Sequence, residues 1–371
     1  MLGGRGPRWA TGKKPYERPN PKEFGRFVQA VGSRYSGSFV RMTDPLNPLP
    51  RVTLYSDWNE VNLKSWLAPQ RAAPRIYRRL VYAAHDGLAA SGHGGDQMLI
   101  GELLPFARHG KTGREKTRPL PFLRELACVD SHYRPYRGRA AKRHGCSGFK
   151  RIPGTGLAYH PYTLAGGPDV PTPNPGDASI GELRRVIRTL DRLSKAKRLV
   201  SHRMPLWITE FGFQTDPPDP YQSPIKKVPG FMGESEWLAY RNPRVASYAQ
   251  YPLVDDKLDS GGGGFQSGLR FHKGRKKPGV YNAFRLALFV HRRSSRVVEV
   301  FGGVRAGSPG QHVTIESRLG RKGKFHALPG GKVTLGQQGY FDRVFKISRA
   351  TKRKYRFRYS GRKSRTAGVH R

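Results

Sequence analysis

Two glutamates stand 150 positions apart in this 371-residue chain, each closing a short apolar run. Glu60 ends Arg51-Val52-Thr53-Leu54-Tyr55-Ser56-Asp57-Trp58-Asn59-Glu60, and Glu210 sits in Pro205-Leu206-Trp207-Ile208-Thr209-Glu210-Phe211-Gly212-Phe213. A carboxylate at the end of a buried strand is costly to hold there unless it is paired or put to use. Two of them can divide the cleavage of a glycosidic bond. One protonates the leaving oxygen while the other attacks the anomeric carbon, through an oxocarbenium-like transition state. Retention of configuration needs the carboxyls about 5–5.5 Å apart, and inversion about 6.5–9.5 Å. Glu60, flanked by Trp58, would be kept protonated by partial desolvation, and Glu210 would stay ionised with support from Tyr162 and His160. Glu102 is a further strand-end carboxylate, suited to substrate binding or a structural ion pair. Each residue also has a plainer reading. Glu60 could cap the turn that follows it, Glu210 could accept from backbone N–H groups, and His160 could be a satisfied core histidine.

The elements that must position these groups alternate between two periodicities. Helical spacing runs over 21–35, 73–90, 119–129, 179–198, 233–241 and 281–290. Near-continuous apolar runs, the mark of strands covered on both faces, cover Val52–Asn59, Met98–Leu104, Gly156–Tyr162, Leu206–Phe213 and Val245–Leu253. Alternating strands and helices imply an α/β fold with a parallel sheet and right-handed crossovers, with working residues at the carboxyl ends of the strands. Glu60, Glu102, His160, Tyr162 and Glu210 all fall there. After about residue 294 the pattern changes to short alternating runs separated by Gly, Pro and Ser: Val297–Phe301, His312–Ile315, Lys332–Leu335, Arg343–Ile347 and Tyr355–Tyr359. The expected organisation is an α/β domain over 1–293, a small β-sandwich-like module over 294–360, and a basic disordered tail over 361–371.

Trp58-Asn59-Glu60-Val61-Asn62, His160-Pro161-Tyr162 and Thr209-Glu210-Phe211-Gly212, in this order, resemble the signature of the retaining glycoside hydrolases of the (β/α)8-barrel clan A. The resemblance covers roughly residues 1–290. It implies a TIM barrel of which strands 4–8 are present, with Glu60 as general acid/base at the end of strand 4 and Glu210 as nucleophile at the end of strand 7. It implies that Asn59 bonds the sugar 2-hydroxyl and that the Tyr162 hydroxyl holds the nucleophile. Carbohydrate is then the substrate, and no cofactor or metal is called for. Trp58 and Tyr251 are further substrate-contact candidates, Tyr251 as a stacking surface where the clan places a strand-8 Trp. The chain departs from the pattern at several points. Val61 replaces the usual Pro, the clan's strand-2 Arg has no counterpart, and strands 1–3 are absent, which leaves two open sheet edges and reads as an N-terminal truncation.

The charge is +42, from 68 Lys+Arg against 26 Asp+Glu. From Arg292 to Arg371 there are 21 basic and three acidic residues. Such a field attracts polyanions, so the C-terminal module could contact an acidic polymer. In Lys352-Arg353-Lys354-Tyr355-Arg356-Phe357-Arg358-Tyr359, aromatics alternate with Arg, as in a strand with one charged face. No groove-reading motif for nucleic acid is present. No segment approaches the ~20 apolar residues that span a bilayer, and Met1–Arg8 lacks an apolar signal core. Cys128 and Cys146, the two cysteines, form either a disulfide or two free buried thiols. A bridge would close a loop of about 18 residues, contribute roughly 3 kcal/mol and point to an oxidising, extracytoplasmic setting. Trp66, Trp207 and Trp237 read as packing. Asp255-Asp256 reads as a solvated loop and Gly261–Gly264 as a flexible one, not a phosphate cradle. The function classes that remain are a hydrolase, a non-catalytic binder of glycan or acidic polymer, and a nucleic-acid binder driven by charge.

Overall fold

The computed structural model describes residues 1–107, 116–163, 166–220, 222–259, 263–320 and 322–370. Gly261 and Gly262 of the four-glycine run, and Arg371 of the tail, lie outside the described residues. In chain order the elements begin with α1 (Pro21–Arg34), β1 (Leu54–Asp57), α2 (Ala73–Ala90), β2 (Gln97–Leu103), α3 (Pro119–Leu126), α4 (Gly138–Arg143), β3 (Gly156–Tyr159), α5 (Leu183–Lys195) and β4 (Leu206–Phe211). Two short strands, β5 (Thr215–Asp216) and β6 (Ser223–Pro224), precede α6 (Val228–Tyr240) and β7 (Val245–Gln250). Then come α7 (Val280–Arg285), β8 (Leu286–Arg292), β9 (Val297–Val304), β10 (His312–Leu319), β11 (His326–Thr334), β12 (Tyr340–Lys346), β13 (Arg353–Tyr359) and β14 (Arg362–Lys363). Backbone packing divides the chain into two compact units. The first is Met1–Tyr162, Pro171–Phe211 and Pro243–Ala249; the second is Thr163–Val170, Gly212–Asn242 and Gln250–Arg371. The second unit thus takes in residues that the sequence pattern assigns to the α/β domain.

In the first unit a parallel sheet runs in the order β1-β2-β3-β4-β7. Its strands are buried apolar runs, Met98-Leu99-Ile100 in β2 and Leu157-Ala158-Tyr159 in β3. The outer edge of β1 is not bare. Leu2 bridges Asp57 in parallel, taking the Trp58 N–H on its carbonyl and giving its own N–H to the Ser56 carbonyl, both at 2.6 Å. α1 starts at Pro21 behind Asn20, whose side-chain oxygen accepts from the Lys22 N–H at 3.0 Å, the usual way to satisfy a free helix-start donor. α2 buries Ile76, Leu80, Ala84 and Leu88, the inward row that the spacing predicts. Cys128 and Cys146 form a disulfide with sulfurs 2.04 Å apart. The loop it closes is further tied to α2 by the buried Arg78, which donates to the carbonyls of Leu126 (2.7 Å), Gly145 (2.6 Å) and Glu125 (2.9 Å).

In the second unit two antiparallel sheets, β11-β10-β13-β14 and β12-β9-β8, share one core of Leu288, Val300, Ile315, Val333, Tyr355 and Phe357 among others. The other face of the three-stranded sheet is covered as well. Phe289 and Phe301 pack with Trp237 of α6. That double covering explains why the helix expected over Tyr281–Val290 is corrected to a short helix followed by strand β8. Leu286, Leu288 and Val290 join the sandwich core, while Phe289 meets α6, and seven consecutive pairs join β8 to β9. Apolar side chains on every residue fit a strand buried on both faces as well as a helix, and pairing decides. The tail is also corrected from disordered to ordered. β14 pairs with β13, Ala367 is buried beside Tyr355, and the His370 N–H donates to the Val290 carbonyl at 2.8 Å. Asp255 is corrected from solvated to buried, where Lys277 Nζ meets its Oδ1 at 2.8 Å. On β13, Tyr355 and Phe357 point inward, and the outward Arg356 and Arg358 both pair with Glu316. No helix among the described residues is long and apolar enough to cross a membrane.

Candidate active site

The strand ends of the first unit gather Glu60, Glu102, His160, Tyr162 and Glu210 into one hydrogen-bonded network. Backbone geometry aims the acids. Trp58 (φ 66°), Glu60 (φ 39°) and Glu102 (φ 45°) all adopt left-handed conformations. For non-glycine residues this costs on the order of 1–3 kcal/mol each, a cost characteristic of functional positions. Glu102 owes its direction to a bulge, since the β2–β3 register shifts between Gly101 and Leu103. Gly101 has φ 110°, and a Cβ there would sit 2.7 Å from a Leu157 methyl and 2.8 Å from the Ala158 carbonyl oxygen. The fully buried Tyr77 stabilises the bulge. Its hydroxyl accepts from the Gly101 N–H at 2.7 Å and donates to the Asp57 carbonyl at 2.9 Å, linking the ends of β1 and β2.

His160 is the hub. Its Nε2 lies 2.8 Å from Glu102 Oε2, and its Nδ1 lies 3.3 Å from Glu60 Oε1 and 3.5 Å from Glu210 Oε2. Burial alone would lower its pKa. The hydrogen bonds to Glu102 and Glu60 and the charge of Glu210 outweigh burial and lift it to about 10. It is therefore an imidazolium at neutral pH, donating from both nitrogens. Glu102 also accepts from the hydroxyls of Ser56 and Thr209. Burial pushes its carboxyl up, but these bonds and His160 hold it below the ordinary value. Glu102 is thus a fixed anion that orients His160, the ion-pair role allowed for it from sequence.

Glu60 and Glu210 meet on the other side of the imidazolium. One carboxylate oxygen of each and a His160 nitrogen all lie within 4.8 Å of one another. The Tyr162 hydroxyl donates to Glu210 Oε2 at 3.1 Å, and its ring stacks on Phe211 at 6.2 Å. Burial pushes the Glu210 pKa up, His160 and Tyr162 pull it down, Glu60 and Glu102 push it up, and the net shift is upward. Burial thus works against the ionised Glu210 expected from sequence, while His160 and Tyr162 work for it. Glu60, His160 and Glu210 could also ligate a divalent cation. In the network described, the imidazolium already supplies the positive charge between the carboxylates.

Asn59 is buried, and its side-chain oxygen is enclosed without a hydrogen-bond partner among the described residues. Trp58 is 2% exposed, gives its indole N–H to the Trp66 carbonyl at 2.9 Å and lies edge-on to Phe24, which leaves little ring face for a sugar. Tyr251 belongs to the second unit, where it meets Phe265 edge-on at 5.3 Å. Ser56, and Thr209 within its motif, are site residues to which the sequence assigned no role. Their signal was present as hydroxyls within otherwise apolar strands, where a buried O–H needs an acceptor. No protein-family model matches this chain, and no curated protein matches it either.

Proposed function

We propose that the chain hydrolyses O-glycosidic bonds with retention, Glu210 acting as nucleophile and Glu60 as general acid and then base. The observation that carries this reading is that one oxygen of each carboxylate, 150 positions apart in sequence, comes within 4.8 Å of the other, both facing Nδ1 of the buried His160. Oxygens this near one another are compatible with the short carboxyl separation of a nucleophilic double displacement, which the resemblance also implies. In the first step Glu60 gives its proton to the leaving oxygen as Glu210 Oε bonds to the anomeric carbon. In the second Glu60 takes a proton from water, whose oxygen displaces Glu210. The resemblance gives Asn59 the bond to the sugar 2-hydroxyl, and Tyr162 keeps Glu210 oriented. The parallel order β1-β2-β3-β4-β7 supports reading these strands as strands 4–8 of a (β/α)8 barrel. The Cys128–Cys146 disulfide supports an oxidising, extracytoplasmic setting.

A panel of aryl glycosides tests the reading. The expected outcome is turnover between about pH 4 and pH 9, with NMR showing the first-formed hemiacetal in the anomeric configuration of the substrate. An inverted product would contradict the assignment of Glu210 as nucleophile. Glycan retention without any turnover would instead favour a non-catalytic glycan-binding protein.

A further inference from the structure

Arg18, Pro19 and Asn20, α2, and the disulfide-closed loop enclose a cleft of about 790 Å3 in the first unit. Glu60, Glu102, His160, Tyr162 and Glu210 do not line it. A second cleft of about 390 Å3 shares Arg18 and Arg75 with it and adds Arg71 and Arg143. Arg71, Arg75 and Arg79 stand four residues apart, the last two on α2 and the first in the turn before it, so one helical face carries three like charges in a row. All three are exposed, as are Arg18 and Lys142 across the cleft. Among the described residues none of these side chains pairs with an acid. Glu125 also lines the second cleft and pairs there with His144 at 2.6 Å, so the row of repelling guanidiniums is unfavourable in the empty protein and becomes favourable when an anion lies along it. The wall opposite is held firmly, by the disulfide and by the three bonds that Arg78 makes to the carbonyls of 125, 126 and 145.

We infer that this cleft binds an anionic polysaccharide, a linear chain carrying carboxylate or sulfate groups, separately from the Glu60–Glu210 site. Spaced guanidiniums suit repeated planar or tetrahedral anions, each able to take a bidentate contact. Single-stranded nucleic acid would also need open aromatic faces for its bases. The Arg198 guanidinium already lies over the Phe149 ring at 3.6 Å, and Tyr82, whose hydroxyl donates to the Lys150 carbonyl, is among the described residues the one other aromatic lining the cleft, too few for a run of stacked bases. The choice of a glycan as the polymer rests on the proposed function, but the test is a binding measurement, so each can fail alone.

The full chain is titrated with fluorescein-labelled dextran sulfate, with an unlabelled oligo-dT as competitor. Wild type should bind, and more weakly by at least about tenfold as salt rises from about 50 to about 200 mM. Arg75→Glu/Arg79→Glu should lose about tenfold or more in affinity and show a shallower salt slope. Arg184→Glu/Arg188→Glu makes the same charge change on exposed positions of α5, away from any cleft described, and should lose less than about twofold. If charge reversal on α2 prevents folding, Arg75→Gln/Arg79→Gln should give a smaller loss in the same direction. Equal losses on α2 and α5 would overturn the inference. So would a loss confined to Lys324→Glu/Lys346→Glu, which line a cleft of about 790 Å3 in the β module. Tighter binding of oligo-dT than of dextran sulfate would also overturn it, in favour of nucleic acid.

Discussion

Glu210→Gln should reduce aryl-glycoside turnover by about 10^4-fold or more while leaving glycan binding intact. The amide keeps the shape and can still accept from the Tyr162 hydroxyl, which now lies 3.1 Å from Glu210 Oε2. What it loses is the nucleophile. The same variant should fold at least as well as wild type at neutral pH. The Glu210 carboxyl is pushed up by burial, so folding favours its protonated form. That contribution is complete below the unfolded value and is lost as pH rises through the higher folded value. Above it, wild type carries a buried charge that Gln lacks, and thermal melts should show no loss in the variant. A variant that keeps more than about a tenth of wild-type turnover would remove Glu210 from the chemistry.

His160→Gln should be the most destabilising single change at the site, about 3–5 kcal/mol near neutral pH, because it leaves Glu60, Glu102 and Glu210 facing one another without their cation. The difference should depend on pH in a defined direction. Partners lift the His160 pKa from 6.5 to about 10, so its stabilisation is complete below about 6.5 and is lost as pH climbs through about 10. Glu102 is held below its ordinary value by His160, Ser56 and Thr209, so its share is present above that ordinary value and is lost as pH falls through the folded one. Urea unfolding of both proteins should show the widest gap at about pH 6.5 and a closing gap toward pH 10. A gap that stays constant over that range would mean that His160 is neutral, and the electrostatic account of the site would fall.

Much of the site was legible because strand ends can be read from apolar runs. Glu60, His160 and Tyr162 follow the runs that become β1 and β3, Glu102 and Glu210 lie in the last residues of β2 and β4, and parallel pairing brings those ends together. The Tyr162–Glu210 bond was implied by the resemblance, but the partner of Glu102 was not legible. That Glu102 would face His160 depends on the Gly101–Glu102 bulge, and a bulge is a register event between two strands that neither strand announces. Trp58 shows the same limit. Its place in the motif suggests a sugar contact, but its left-handed backbone turns the indole to the Trp66 carbonyl. The helix expected over Tyr281–Val290 went wrong for a different reason. Consecutive apolar residues fit either period, and only the presence of α6 on one face and the sandwich core on the other selects a strand. The tail was read from composition alone, which cannot foresee that Arg365 would be half-buried with a bond to the Leu288 carbonyl.

The most direct test is to trap the intermediate. Incubation with an aryl glycoside bearing fluorine at C2, which slows the second displacement more than the first, should leave one sugar esterified to the protein. Peptide mapping by mass spectrometry should place that ester on Glu210, and the Glu210→Gln protein should acquire none. An enzyme that turns over aryl glycosides yet forms no adduct, or forms it on another carboxylate, would contradict the account in which Glu60 and Glu210 act across one sugar.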